Sequence, residues 1–406
     1  MLFLVLVHTL FCGVPLLLDV LVGRPSYGFF AGFYAASQDP ATVLIYCAYV
    51  ATVPVILYRF GRISPRRFWS IRAAQKEKAR ETGAKGHRLN LFLWLALAAP
   101  VVAAAASPRP EFYLSYGSVA TAAAEFEQYH AFVAALCLAA IVSGVGILLK
   151  TKVLSIGTVA TVMPMLIVAC WLFGKRSSVA LLVLGLLYAG WCRGLLGGRR
   201  FVGALCVAAS VIAVGSYGYQ RVIRQMSAAD FDAYYTGVRI DFGRDVGIRQ
   251  AIYAELGNDS DRILDYRGQT LLFYAVMLVP RTVWPNKPWP YAVYQTARAL
   301  NLPASSSLGW GVTTSWLDEA IANCGWFGLL IGPLSLAVLC RIGDRTGDAF
   351  TRYVTVCIGT LLMAVQLAAF APLALVWALL CLWHYVLSRW HLVQLYSSPS
   401  RVKLVR

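Results

Sequence analysis

The chain has 406 residues, 59% of them hydrophobic and only 14% charged, with a mean hydropathy of +0.64. That composition excludes an ordinary soluble fold. The net charge of +17 would suit a nucleic-acid partner in a soluble protein, but the sequence carries no RNA- or DNA-binding module. The excess Lys and Arg follow a membrane topology instead.

Ten apolar stretches recur, at approximately 2–22, 41–58, 89–106, 129–149, 153–173, 177–192, 201–219, 326–340, 353–370 and 372–388. Runs of this kind are long enough to cross about 30 Å of hydrocarbon. The first lacks a basic n-region and is interrupted by Pro15 and Asp19, so it reads as a retained helix rather than a signal peptide. The segment 59–88 holds ten Lys and Arg against only Glu77 and Glu81, which places it in the cytoplasm. Lys150/Lys152, Arg193/Arg199/Arg200, Arg341/Arg345/Arg352 and the tail 401–406 then fall on the same side. Loops 23–40 and 107–128 fall outside, with a polar island over about Gln220–Asn323. The island carries ten of the 36 Lys and Arg and ten of the 19 Asp and Glu, so the whole +17 lies elsewhere.

The expectation is an all-α polytopic membrane protein with about ten transmembrane helices, N-in and C-in, and one large extracytoplasmic loop carrying short helices. Its parts are N-terminal membrane helices over 1–219 (about seven spans), the large loop over 220–325, three further spans over 326–388 and a basic cytoplasmic tail over 389–406. The unequal division around the island argues against a transporter built from duplicated halves. Nine of the ten cysteines lie within or at the ends of spans and no Cys-x-x-Cys occurs, so reduced thiols are expected. The five histidines are scattered. No His, Cys and carboxylate cluster has metal-ligand spacing, so no metal or other cofactor is expected.

Within the island, residues 226–265 interleave Asp, Tyr and Arg, and Asp241–Glu255 reads as a short helix ending near Gly257. The acids Asp241, Asp245, Asp259, Asp261 and Asp265 face a choice of arginines, Arg239, Arg244, Arg249, Arg262 and Arg267. They could form surface ion pairs or a sugar-binding wall. The apolar run Leu271–Val279 is too short to span and reads as an interfacial or re-entrant helix stopping at Pro280. Pro285, Pro288 and Pro290 then forbid regular helix. Ser305–Thr314 is a polar, Gly-rich loop, and from Ser315 a helix runs into the eighth span.

Three stretches carry candidate chemistry, all on the outer face. In Gly174-Lys175-Arg176-Ser177 two cations occupy a tight turn against the positive-inside trend; Lys175 and Arg176 suit a phosphate or pyrophosphate, or lipid phosphates by snorkelling. In Val279–Pro288 a Pro-locked bend presents Arg281 and Lys287, and pre-organised cations grip an anion at lower entropic cost. Trp284, with Trp289 and Tyr291, offers aromatic faces for sugar stacking or for an interfacial belt. In Trp316–Gly325, Glu319 and Asn323 share a helix face at i,i+4. A partly desolvated Glu319 is a candidate base, with Asp318 and Asn323 beside it; the alternative is a solvated helix start favoured by the dipole. No Walker A, dinucleotide-binding, zincin or serine-hydrolase motif is present.

Taken together and in this order, Phe173–Ser177 (FGKRS), Val279–Pro288 (VPRTVWPNKP) and Glu319–Gly328 (EAIANCGWFG) resemble the oligosaccharide repeat-unit polymerases, the Wzy-type O-antigen polymerases of bacterial envelopes. The resemblance implies a glycosyltransferase of the bacterial cytoplasmic membrane with its active site on the extracytoplasmic side. Such an enzyme moves a growing glycan from a polyprenyl diphosphate onto a hydroxyl of the next lipid-linked repeat unit. Glu319, Arg281 and Arg176 would be catalytic, and Lys175, Lys287, Asn323, Trp284 and Asp318 would bind substrate. The partners implied are polyprenyl-diphosphate-linked oligosaccharides, the lipid bilayer, and a chain-length regulator and flippase of the same pathway. The competing readings are an O-antigen ligase-like or single-addition transferase, a flippase or transporter of lipid-linked sugars, and a structural subunit of an envelope assembly. The island contains no histidine, whereas the ligases carry one in this loop. Few ionisable residues lie mid-span, against a transporter.

Overall fold

A computed structural model of the chain describes residues 1–61, 86–116, 124–151, 155–174, 176–222, 231–257, 262–303, 308, 311–346 and 348–383. These residues form helices joined by turns, with no strand among them. In chain order the helices are α1 Leu2–His8, α2 Val14–Leu21, α3 Ala31–Gln38, α4 Pro40–Gly61, α5 Gly86–Ala105, α6 Ala124–Lys150, α7 Ile156–Phe173, α8 Arg176–Cys192 and α9 Arg199–Val222. They continue with α10 Phe231–Phe242, α11 Asp245–Leu256, α12 Gln269–Ala275, α13 Tyr291–Ala299, α14 Trp316–Cys324, α15 Gly328–Arg345 and α16 Ala349–Ala364. Last comes α17, Leu367–Trp383.

Among the described residues, five helical stretches are long and apolar enough to cross a membrane: Leu2–Leu21, Pro40–Gly61, Tyr129–Lys150, Ile156–Phe173 and Trp316–Arg345. The first joins α1 and α2 through a wider π turn, Thr9–Gly13. Asn90–Ala105, Ser177–Cys192, Ala349–Ala364 and Leu367–Trp383 are apolar but shorter. Local chemistry sets the boundaries. Ser155 caps α7 by accepting from the Thr158 amide at 3.1 Å, and Asp348 caps α16 through the Thr351 amide at 2.8 Å. Gly174 closes α7 with a left-handed backbone (φ 67°) that few other residues adopt. Pro54, Pro100, Pro164 and Pro333 sit inside helices, as packed membrane helices tolerate.

The expected continuous helix from Ser315 is broken. Gly325 takes φ 58°, ψ −134°, a 3-10 turn covers Gly325–Phe327, and α15 leaves in a new direction. A Cβ on Gly328 would lie 2.5 Å from the Ile321 Cα, so only glycine lets the two segments meet this closely. The expected helix over Asp241–Glu255 is also divided, at Gly243 and Arg244, into α10 and α11. The apolar run after Gly268 is helical only to Ala275; the residues that follow turn instead of extending to Pro280.

The part of the island around α11 is not a solvated loop. Helix α11 packs against α3, α4 and α14, and Asp245–Leu256 is buried almost throughout. Its apolar residues Ile248, Ala251 and Ile252 belong to the main core, which also holds residues of α1, α4, α6 and α16. Its charged residues form a buried four-membered cluster that reaches back to the first span. Asp19 accepts from Arg239 and from Arg249, each at 2.6 Å, and Asp245 accepts from Arg239 as well. The Arg249 guanidinium also sits 4.8 Å from the Tyr46 ring centroid, a cation–π contact. These are therefore buried ion pairs, not the surface pairs considered from the sequence. Arg244 instead donates to the carbonyls of Thr313 and Asp241. Asp259 and Asp261 lie outside the described residues.

Candidate functional site

The site grows from the start of α14. Ser315 and Asp318 form a reciprocal capping box: the Ser315 hydroxyl accepts from the Asp318 amide, and Asp318 Oδ1 accepts from the Ser315 amide at 2.7 Å. Asp318 is buried, and its Oδ2 lies against α11, where a Cβ on Gly247 would be 2.7 Å away. Its oxygens thus hold the helix start against α11.

With the helix fixed, Glu319 and Asn323 project to one side, as i,i+4 residues do, and meet α12. Glu319 Oε1 accepts from the Thr270 hydroxyl at 2.7 Å, and Oε2 from the Tyr274 hydroxyl at 3.0 Å. Asn323 Nδ2 donates to Thr270 Oγ1 at 2.7 Å and to the Glu319 carbonyl at 2.8 Å, while its Oδ1 accepts from the Thr270 amide at 3.2 Å. Glu319 and Thr270 are each 0% exposed, so four side chains make one sealed polar network. Of the four, only Tyr274 is partly exposed. Burial pushes the Tyr274 phenol well above its ordinary range, and the adjacent Glu319 charge adds to the effect. The phenol therefore stays protonated and donates to Glu319.

Thr270 and Tyr274 were not singled out in the sequence. Their own i,i+4 spacing in Gly-Gln-Thr-Leu-Leu-Phe-Tyr was the available signal, masked by the apolar residues between them. Of those residues Leu271 and Leu272 are exposed and Phe273 is buried; Leu278, Val283, Trp326 and Phe327 are also exposed.

The second stretch is a stapled turn. The Arg281 guanidinium donates to the Lys287 carbonyl at 2.7 Å and the Pro288 carbonyl at 2.9 Å, with a longer contact to Pro285, and lies 3.3 Å from the Trp289 ring centroid. Lys287 Nζ donates to the Met277 and Val279 carbonyls at 3.0 and 2.9 Å. Pro285, Pro288 and Pro290 leave a turn with few amide donors, and the two cations satisfy its carbonyls instead. The turn is tied to α12: the Tyr294 hydroxyl accepts from both the Trp289 amide and Gln269 Nε2, each at 3.0 Å. Arg281 and Lys287 are thus brought near the α12 network without hydrogen-bonding Glu319 or Asn323. Trp284 is half-buried in this turn.

Of the stretch Gly174–Ser177, Arg176 begins α8 two residues after the Gly174 cap. Lys175 lies outside the described residues, and the structure describes the Arg176 backbone alone. Among the described residues, no group of three or more His, Cys, Asp or Glu could hold a metal ion.

No family model matches this chain, and neither a curated protein nor a solved structure does.

Proposed function

We propose that the chain is a polytopic glycosyltransferase of the bacterial cytoplasmic membrane that polymerises polyprenyl-diphosphate-linked oligosaccharide repeat units. In this reading the five long apolar helices, the four shorter ones and α9 make ten spans, N-in and C-in. The α12–α14 network then lies on the extracytoplasmic side, at the edge of the bilayer. The observation that carries the proposal is the buried carboxylate of Glu319, held by two hydroxyls, one of them on the partly exposed Tyr274, beside exposed apolar surface suited to a lipid-linked substrate.

The reaction breaks the bond between the sugar C1 and the carrier's diphosphate oxygen and forms a bond between C1 and the acceptor hydroxyl. The diphosphate leaves with the electron pair. The acceptor proton passes to Glu319, either directly when the acceptor displaces the Tyr274 hydroxyl or through that hydroxyl. Thr270 and Asn323 hold the carboxylate in place, so little reorganisation is needed at the moment of reaction. Arg281 and Lys287 keep the 277–289 turn in shape and add positive charge beside the site. The pathway's flippase and chain-length regulator are the partners this role requires.

The test is the glycan length profile of a native host lacking the protein, with lipid-linked intermediates extracted alongside. Loss of long chains while single repeat units still reach the outer face is the expected result, and Glu319→Gln should not restore them. Full-length polymer stranded on the carrier would instead identify a ligase. Repeat units trapped in the cytoplasm would identify a flippase.

A further inference from the structure

The cations singled out by sequence, Arg281 and Lys287, already spend donors on backbone carbonyls. A site for a diphosphate needs a cation whose donors are free. Arg267 meets that requirement. It is exposed, and among the described residues it makes no hydrogen bond or ion pair. It stands three residues before Thr270, and the left-handed Gly268 (φ 82°) begins α12 between them. Its guanidinium lies over the α14–α15 corner. A Cβ on Gly325 would meet Arg267 Nη1, Cζ and Nη2 at 2.6, 2.7 and 2.7 Å, so the flat face of the guanidinium rests on the glycine. The bland role, donation to the last carbonyls of α14, is not taken up.

We propose that Arg267, seated on Gly325, binds the diphosphate of the lipid carrier as it departs. The proposal rests on the transferase reading and adds the anion-binding residue to it. The same chemistry would suit a phospholipid headgroup, so the experiment separates the two.

The purified full-length chain in detergent is titrated with a short-chain prenyl diphosphate and, separately, with anionic phospholipid vesicles after reconstitution. The expected result is saturable binding of the prenyl diphosphate that falls at least tenfold in Arg267→Gln and is partly kept in Arg267→Lys, because a guanidinium binds phosphate bidentately where an ammonium cannot. Vesicle binding should be the same in all three proteins. Equal prenyl diphosphate affinity in wild type and Arg267→Gln overturns the proposal. So does a loss confined to vesicle binding, which would make Arg267 a headgroup contact. Because binding is read without turnover, an Arg267-dependent site in a host whose glycan length is unchanged would uphold the anion site while removing the polymerase reading.

Discussion

Replacing Asp19 by Asn tests the buried cluster directly. Asp19 is the shared acceptor of Arg239 and Arg249, at 2.6 Å in both cases, and both arginine side chains are 1% exposed. Asparagine keeps the shape but loses the charge, and its amide nitrogen would face a guanidinium. Each charge-assisted hydrogen bond contributes about 1.5–3 kcal/mol. Removing one partner of a buried ion pair costs about 3–5 kcal/mol, because the remaining charge stays desolvated. Here two arginines would be left with only Asp245. At about 2 °C per kcal/mol for a large chain, the thermal midpoint should fall by roughly 6–10 °C. The assay is the fraction remaining monodisperse on size exclusion after heating in detergent. Adding Arg249→Gln restores the charge balance of one Asp with one Arg, so the double variant should lose at least about 1 kcal/mol less than the sum of the singles. An unchanged midpoint in Asp19→Asn, or strictly additive losses, would refute the cluster as described.

Thr270→Val should lower stability by about 1–3 kcal/mol for each of the two partners it strands, Glu319 Oε1 and Asn323 Nδ2, read by the same heating assay. Arg281→Ala should open the 281–289 turn to limited proteolysis, and Arg281→Lys should not close it again, since one ammonium cannot reproduce the planar fork; a protected turn in both would sink the stapling role. The phenol of Tyr274 is pushed above its ordinary range, so its hydrogen bond to Glu319 is present at neutral pH and persists as pH rises through about 10, where free tyrosine ionises. Ultraviolet titration of wild type against Tyr274→Phe should therefore show no difference in phenolate signal up to about pH 10. A difference of one tyrosine below that pH would contradict the buried contact.

What was legible in the sequence was local. The apolar runs mark the membrane helices, and Ser315 with Asp318 announces the start of α14 through the spacing of a capping box. Glu319 and Asn323 share a face because a helix turns every 3.6 residues. What escaped was the identity of the partners. Asp19 meets Arg239 and Arg249 across separations of 220 and 230 residues, and no local pattern encodes such a contact. The island's balanced charges suggested solvent exposure, yet Arg239, Asp245 and Arg249 are neutralised inside the core together with Asp19 of the first span. Gly325 looked like a residue within one continuous helix, and only its backbone angles show it to be a corner. The turn around Arg281 lay between the two cases. Its prolines announced missing amide donors, but not that Arg281 and Lys287 would serve the orphaned carbonyls.

The cluster also gives the order of events during synthesis a physical meaning. Asp19 leaves the ribosome ahead of its partners, which follow 220 and 230 positions later. At about 5–20 residues per second, that interval lasts roughly 10–45 s. Throughout it, the first helix carries a carboxylate without its two arginine partners, a charge that resists entry into hydrocarbon. The arrival of α10 and α11 discharges it and draws the newly made segment onto the first helix. Biogenesis of this protein is therefore latched late, and a chain interrupted before Arg239 retains a first helix that has not found its seat.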